Sequence, residues 1–467
     1  MPSREDRGTP KGNPSQMGNE KISTLLFRFS FPATVGMLVM ATYNIVDTIF
    51  VGRLGSEAIA ALSVAFPIQM LLGAVGIGTG VGAASLISRS LGADNQDEAE
   101  NAAGQVIALA LIFGLVTALA GFFFLRPVLL FLGTTPDILG LTEEYMIVIT
   151  SGSVMFYLIM IMNNMVRAEG SPLLSMKIMI LSALVNIGMD PIFIFLLGMG
   201  VQGAAVATVL SKVLGVGIML YHFFWGQSVL KLRVSSLRLR WETIKNVYVT
   251  GFPAMLLNIS TNISLIIANN ILAAYGHVPI AVMGLIFRLK LFAIMPIFGI
   301  SQGLLPIIGF NYGAEQPGRI REALLKGAAI SSLFITLAGV AFFAWPTFFL
   351  GLFSSEPKLL VLGEQALRIM VLMFPLIGIQ IVSIVFFQAI GKGTPSLLLS
   401  LLREMLLFIP LMLAMSNLFG LVGVWSARPV SDLVAFLLTF ILISRELKRQ
   451  GIPLWGSRRP QKLENPE

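Results

Sequence analysis

The sequence predicts an all-α polytopic membrane protein with twelve transmembrane helices in two pseudo-symmetric six-helix bundles, and three observations carry that reading. First, 56% of the 467 residues are hydrophobic, only 12% are charged, and mean hydropathy is +0.85. A soluble chain carries about 25% charged residues. Second, apolar segments of roughly 20 residues recur along the whole length, as a helix needs to cross about 30 Å of hydrocarbon. Third, the chain repeats at a shift of 221 positions. Phe31-Pro32-Ala33 falls on Phe252-Pro253-Ala254, and Gly55, Gly78, Gly82, Gly92 and Ala93 fall on Gly276, Gly299, Gly303, Gly313 and Ala314. Ala168 and Gly170 fall on Ala389 and Gly391.

The elements follow in order. Residues 1–27 are polar, rich in Pro, Gly and Ser, with no apolar run; they predict a disordered cytoplasmic tail rather than a signal peptide. Spans are predicted at 28–50, 57–86, 101–125, 142–163, 174–197 and 203–225, forming an N-terminal lobe over 28–229. The stretch "LKLRVSSLRLRWETIK" lies in a basic cytoplasmic linker, 230–247. A second lobe, 248–444, has spans at 248–273, 280–308, 323–347, 362–386, 396–416 and 420–444, and a basic cytoplasmic tail covers 445–467. Lys and Arg test this count. With the N-terminus in the cytoplasm, 23 lie on that side and four (Arg53, Arg126, Lys358, Arg368) on the other. Such asymmetry is the positive-inside rule, and it places both termini in the cytoplasm. Six helices separate the copies, so both have the same orientation, about an axis along the membrane normal.

The composition also excludes. The absence of cysteine removes disulfides and thiol chemistry. The net charge of +8 is explained by topology, so no nucleic-acid partner is expected. "GIGTGVGAAS", from Gly76, follows no strand and lies in a membrane segment; it is not a dinucleotide fingerprint but small residues that let helices approach. "GKGT", from Gly391, lacks the upstream glycine and strand of a phosphate loop. His222 and His277 sit near membrane edges and predict no metal site. An intramembrane aspartyl protease would also need two membrane aspartates, but its Tyr-Asp and Gly-x-Gly-Asp motifs are absent. The chain is not expected to be an enzyme.

Few polar groups lie deep in the segments: Tyr43, Asn44 and Asp47 in the first, Asn163 and Asn164 in the fourth, Asn186 and Asp190 in the fifth, and Thr208 in the sixth. A charge at a helix centre in a bilayer costs about 2.5–3.5 kcal/mol on insertion scales, and structure alone gives no reason for it. Tyr43 and Asp47 share a helix face, as do Asn186 and Asp190, each pair being four apart. Pro191 leaves a carbonyl free one turn before it. Together these groups make a pocket suited to a proton or a sodium ion. The plainer alternative is separate helix-packing hydrogen bonds, which suits Thr208 or Asn164 better than the aspartates. At the related positions of the second half stand Ala268, Leu406, Pro410 and Arg428 in place of Asp47, Asn186, Asp190 and Thr208. That half instead carries Arg288, Lys290 and the adjacent Arg403-Glu404, with Glu404 expected to pair with Arg288 or Lys290 in a structural or gating role.

The stretches "FPATVGMLVMATYNIVDTIFVGRLG", "LVNIGMDPIFIF", "GVQGAAVATVLSK", "GFNYGAEQ" and "IGKGTPSLLLSLLREMLLFIP" resemble the MATE family of multidrug and toxic compound extrusion transporters, in its prokaryotic DinF-like branch. The resemblance implies a two-lobed antiporter with a central cleft, without a cofactor. It would export amphipathic, often cationic small molecules against inward H⁺ or Na⁺, working as a monomer in the lipid bilayer. It implies a cation site at Asp47, Asn186, Asp190 and Thr208, and a substrate cavity lined by Tyr43, Asn163 and Met179. A flippase-like exporter of a lipid-linked sugar or lipid is the alternative, with Arg288 and Lys290 as its only hints of a cationic cleft.

Overall fold

The computed structural model describes residues 14–452. Every regular element among them is helical. The helices are α1 (Ser15–Asn19), α2 (Ile22–Gly52), α3 (Ser56–Gly92), α4 (Gln96–Phe131), α5 (Pro136–Ser151), α6 (Ser153–Ala168), α7 (Pro172–Pro191) and α8 (Gly200–Phe224). There follow α9 (Trp241–Ala273), α10 (His277–Gly313), α11 (Pro317–Ala344), α12 (Pro346–Gly351), α13 (Pro357–Met370), α14 (Phe374–Ala389), α15 (Gly393–Leu401) and α16 (Phe408–Arg449). Single π-helical turns, Ile192–Leu196 and Leu402–Leu406, continue α7 and α15.

Among the described residues nine helical runs are long and apolar enough to span a membrane, and two bent pairs bring these to eleven. The pairs are α5 with α6, bent by 52°, and α13 with α14, bent by 54°. Pro375 explains the second bend, because it has no amide with which to continue the helix. The last run, Gly393–Arg449, holds two spans, since Gly420 at φ 57°, ψ −140° turns the chain between them. The total is twelve. Several helices begin on proline, where the missing amide costs nothing: Pro136, Pro172, Pro317 and Pro357. Phe122, Phe123, Phe124 and Phe131 are 62–89% exposed along α4, a surface for lipid rather than water.

The repeat is written into the backbone. Positive φ occurs at Gly55 and Gly276, at Asp94 and Glu315, and at Gly170 and Gly391, pairs that are each 221 apart. Asp94 and Glu315 are the two non-glycine residues among the described ones that adopt this conformation.

Packing between the lobes is asymmetric. One apolar core merges both lobes, drawing Ile87, Val106 and Met165 from the first and Leu304, Phe386 and Ile443 from the second. It lies at the end that carries the linker and both described termini, since Met17, Leu230 and Leu447 belong to it. At the other end each lobe has its own core: Val51, Met146 and Ile194 in the first, Leu272, Phe374 and Trp425 in the second. Glycines seal the joined end. A β-carbon at Gly82 would collide with the Val247 carbonyl of α9, and one at Gly92 with the Phe310 carbonyl of α10. Ser85 donates to the Gln388 carbonyl across the same seam at 2.5 Å. The molecule is closed at the end of its termini and divided at the other.

The predicted disordered tail is corrected in part. Residues 1–13 lie outside the described residues, as do 453–467 of the predicted C-terminal tail. Residues 15–19 are helical, and α2 begins at Ile22. Met17 is fully buried, and its carbonyl accepts from Asn311 and Arg319, both at 2.9 Å. A second-lobe socket therefore orders a segment whose own sequence is too polar to fold alone.

Candidate functional site

α2, α7 and α8 bring four of the predicted polar groups together in the first lobe. Asp47, Asn186 and Asp190 are 8%, 1% and 0% exposed. The Asn186 amide donates to Asp190 Oδ1 at 3.3 Å and to Thr208 Oγ1 at 3.4 Å. α2 packs along α7, which sets Asp47 and Asp190 on neighbouring helices. Both carboxylates act on the Tyr43 hydroxyl, which sits one turn before Asp47. Local sequence explains the arrangement. Pro191 closes α7 just after Asp190, the Ile187 carbonyl loses its partner amide, and a π turn follows.

Three oxygens in this pocket are buried and have no hydrogen-bond donor: Asp47 Oδ1, Asn186 Oδ1 and Asp190 Oδ2. Buried polar atoms are usually satisfied, and these three are acceptors on two neighbouring helices, α2 and α7. Hard oxygen donors fit a sodium ion or a shared proton; they do not fit a soft metal. No cluster of three His, Cys, Asp or Glu residues able to hold a metal occurs among the described residues.

Other predicted residues are placed differently. Asn163 is buried in a separate network: its oxygen accepts from Ser175 at 2.7 Å, and Ser175 accepts from Arg167 at 3.0 Å. Arg167 also donates to Asn164 and across the lobes to Gln302. Met179 packs against Gly36 of α2. Asn44 is exposed and bonds back to the Met40 carbonyl. Sequence reasoning missed Lys212. It lies four residues after Thr208 on α8, 5.6 Å from the Phe156 ring, and its charge acts on Asp47 without forming an ion pair. A lone lysine in an apolar span was the available signal.

In the second lobe the expected pairing is corrected. Glu404 pairs with Arg428, whose two terminal nitrogens reach its oxygens at 3.0 and 2.9 Å. Arg403 and Arg428 both reach Asp432, at 3.0 and 3.3 Å. Lys290 flanks this network without an ion pair, and Arg288 is exposed. Arg428 prevails because the bend at Gly420 folds α16 back onto the turn that carries Glu404, and because a guanidinium fork matches a carboxylate. Asp432 was not anticipated, although it stands four residues after Arg428 on one face. Arg428 and Asp432 occupy the positions that Thr208 and Lys212 occupy in the first lobe, at a shift of 220.

Two repeated membrane bundles, joined at one end and divided at the other, with an ion-suited pocket in one lobe, define a secondary transporter. The chain belongs to the MatE family, whose model matches residues 32–192 and again 253–413, the two copies of the repeat. It is similar to the FAD transporter of Shewanella oneidensis, 28% identical, with 91% of this chain and 95% of that protein covered. It is also similar to the multidrug export protein MepA of Staphylococcus aureus, 29% identical over 90% of this chain and 94% of the other. Among solved structures, the MATE multidrug transporter DinF-BH is 37% identical, with TM-score 0.85, covering 92% of this chain and 97% of that one. An outward-facing multidrug resistance MATE family transporter aligns with TM-score 0.89 at 27% identity, covering 95% and 99%.

Proposed function

We propose that this chain is an antiporter that exports amphipathic, often cationic small molecules from a prokaryotic cell, driven by inward H⁺ or Na⁺ across the cytoplasmic membrane. The observation that supports it best is the set of three unsatisfied buried oxygens on Asp47, Asn186 and Asp190. The distribution of Lys and Arg supports cytoplasmic termini. The divided end then faces outward, where a coupling cation would enter and substrate would leave. Both lobes lie in one chain, which supports a monomer.

Asp47 and Asp190 are the groups that take up and release the cation. Two carboxylates in a poorly solvated pocket resist both being ionised, so they act as a coupled pair. A bound cation favours substrate release only by binding the releasing state better. Met-rich, weakly charged spans suit varied ligands, because Met repacks easily. Multidrug exporters among the relatives favour this reading over export of a lipid-linked sugar.

The test is efflux from proteoliposomes under a pH gradient and, separately, a sodium gradient, with cationic dyes and FAD as substrates. Asp47→Asn and Asp190→Asn should each abolish gradient-driven efflux while folded protein persists. Full ion-driven efflux in both variants would place coupling elsewhere.

A further inference from the structure

The second lobe carries a charge imbalance that its own residues do not resolve. Three cations, Lys290, Arg403 and Arg428, face two anions, Glu404 and Asp432. The arginines and acids satisfy one another: Arg428 holds both oxygens of Glu404 and one of Asp432, and Arg403 holds the other. Nothing remains for Lys290. It makes no hydrogen bond or ion pair among the described residues, and the four charges that act on it belong to that saturated network. Lys290 is partly exposed at the edge of this network, so its ammonium, when charged, is open to a partner from outside the chain.

Beside Lys290 lies a cavity of about 40 Å³, lined mostly by apolar side chains such as Ala268, Met283, Phe287 and Phe408, with Glu404 and Arg428 also in its lining. A single water needs roughly 10–15 Å³ by this measure, so the space admits a few waters or one small ion. Ala268 stands where the first lobe has Asp47, and its methyl leaves the room. Donors are available: the ammonium has three N–H groups, and Arg428 uses three of its five on the acids.

We propose that this cavity binds one small monovalent anion against Lys290, either a free halide or the carboxylate of an amphipathic substrate. The two lobes then hold opposite charges at related positions: a cation beside Asp47 and an anion beside Ala268. This site goes beyond the cation-coupled export proposed above and does not depend on it.

The test uses the purified full chain in detergent, with sodium held constant and chloride, formate or the bulky sulfonate isethionate as anion. At about ten times Kd, chloride or formate should raise Tm by about 1–2 °C over isethionate. Lys290→Met should lose that shift and Lys290→Arg should keep it. Equal Tm in all three salts for the wild type would overturn the site and mean that Lys290 stands neutral. An undiminished shift in Lys290→Met would overturn it too, because the salt would be acting elsewhere. If Lys290→Met does not fold, the wild-type salt series still decides. Binding of rhodamine 110, a free acid, and rhodamine 123, its methyl ester, identifies the occupant. Chloride competition against the acid alone assigns the site to substrate carboxylate; a Tm shift with neither dye affected assigns it to the free halide. Tm needs no transport, so failure of export and failure of this site are separate results.

Discussion

Gly82→Ala tests whether the seam between the lobes is the gate. A β-carbon at Gly82 of α3 would meet the carbonyl carbon and oxygen of Val247 on α9. Backbone cannot rotate aside as a side chain can, so strain is relieved by moving the helices apart. Inserting a methyl into a tight contact costs about 1–3 kcal/mol. Packing within each lobe does not involve this contact, so the cost falls on the closed state alone. At 1.4 kcal/mol per decade, the closed-to-open ratio should drop about 5- to 150-fold. The chain has no cysteine, so a single reporter is clean. Ser85→Cys places a thiol where Ser85 is fully buried and bonded across the seam. Its modification rate should rise by that factor in Gly82→Ala. Gly73→Ala, on the same helix with nothing within 4 Å, should leave the rate unchanged. A fall in Tm with no change in rate would refute the reasoning, because the strain would then be absorbed inside a lobe.

Two further outcomes follow. A cysteine at Ser235, exposed in the linker, should resist a membrane-impermeant thiol reagent in intact cells and react in inverted vesicles; ready labelling from outside reverses the orientation. Asn311→Ala with Arg319→Ala removes the donors to the Met17 and Glu20 carbonyls, about 1 kcal/mol per hydrogen bond, and should speed trypsin cleavage at Lys21 and Arg28; unchanged cleavage means that the apolar contact of Met17 holds α1 alone.

The twelve spans and their repeat were legible because the bilayer demands long apolar runs, and because turn glycines such as Gly55 and Gly276 recur at one spacing. The grouping of Asn186 with Asp190 was legible from their four-residue spacing, and their meeting with Thr208 on α8 is a tertiary fact. What escaped depended on how helices pack. The break between the last two spans was predicted, but which cation the returning span brings to Glu404, Arg428 rather than Lys290, is a tertiary fact. α1 looked disordered because its partners, Asn311 and Arg319, lie nearly 300 residues away. Asn163, which the resemblance assigned to the substrate cavity, accepts from Ser175, and Arg167, one turn on, reaches the same Ser175, a network that no spacing announced.

The two charged sites should respond oppositely to neutralisation. Glu404 lies 6% exposed with both oxygens held by Arg428, whose guanidinium also sits 5.2 Å from the Phe408 ring. Glu404→Gln strips Arg428 of its main counter-charge while leaving it buried, and stranding one member of such a pair costs about 3–5 kcal/mol. Replacing both, as Glu404→Gln with Arg428→Met, should recover most of that loss, since the pair itself contributes little net stability. Asp47 is the contrary case. Its Oδ1 has no donor, so Asp47→Asn strands nothing and should move stability by less than about 1 kcal/mol. Thermal unfolding and proteoliposome efflux, measured on the same preparations, separate the two. Glu404→Gln should lower Tm and weaken transport while efflux still follows the ion gradient; Asp47→Asn should keep Tm and lose the gradient response. If Glu404→Gln instead kept its Tm and abolished the response to the ion, the coupling site would lie in the second lobe, and the network around Arg428 would be its machinery rather than its scaffold.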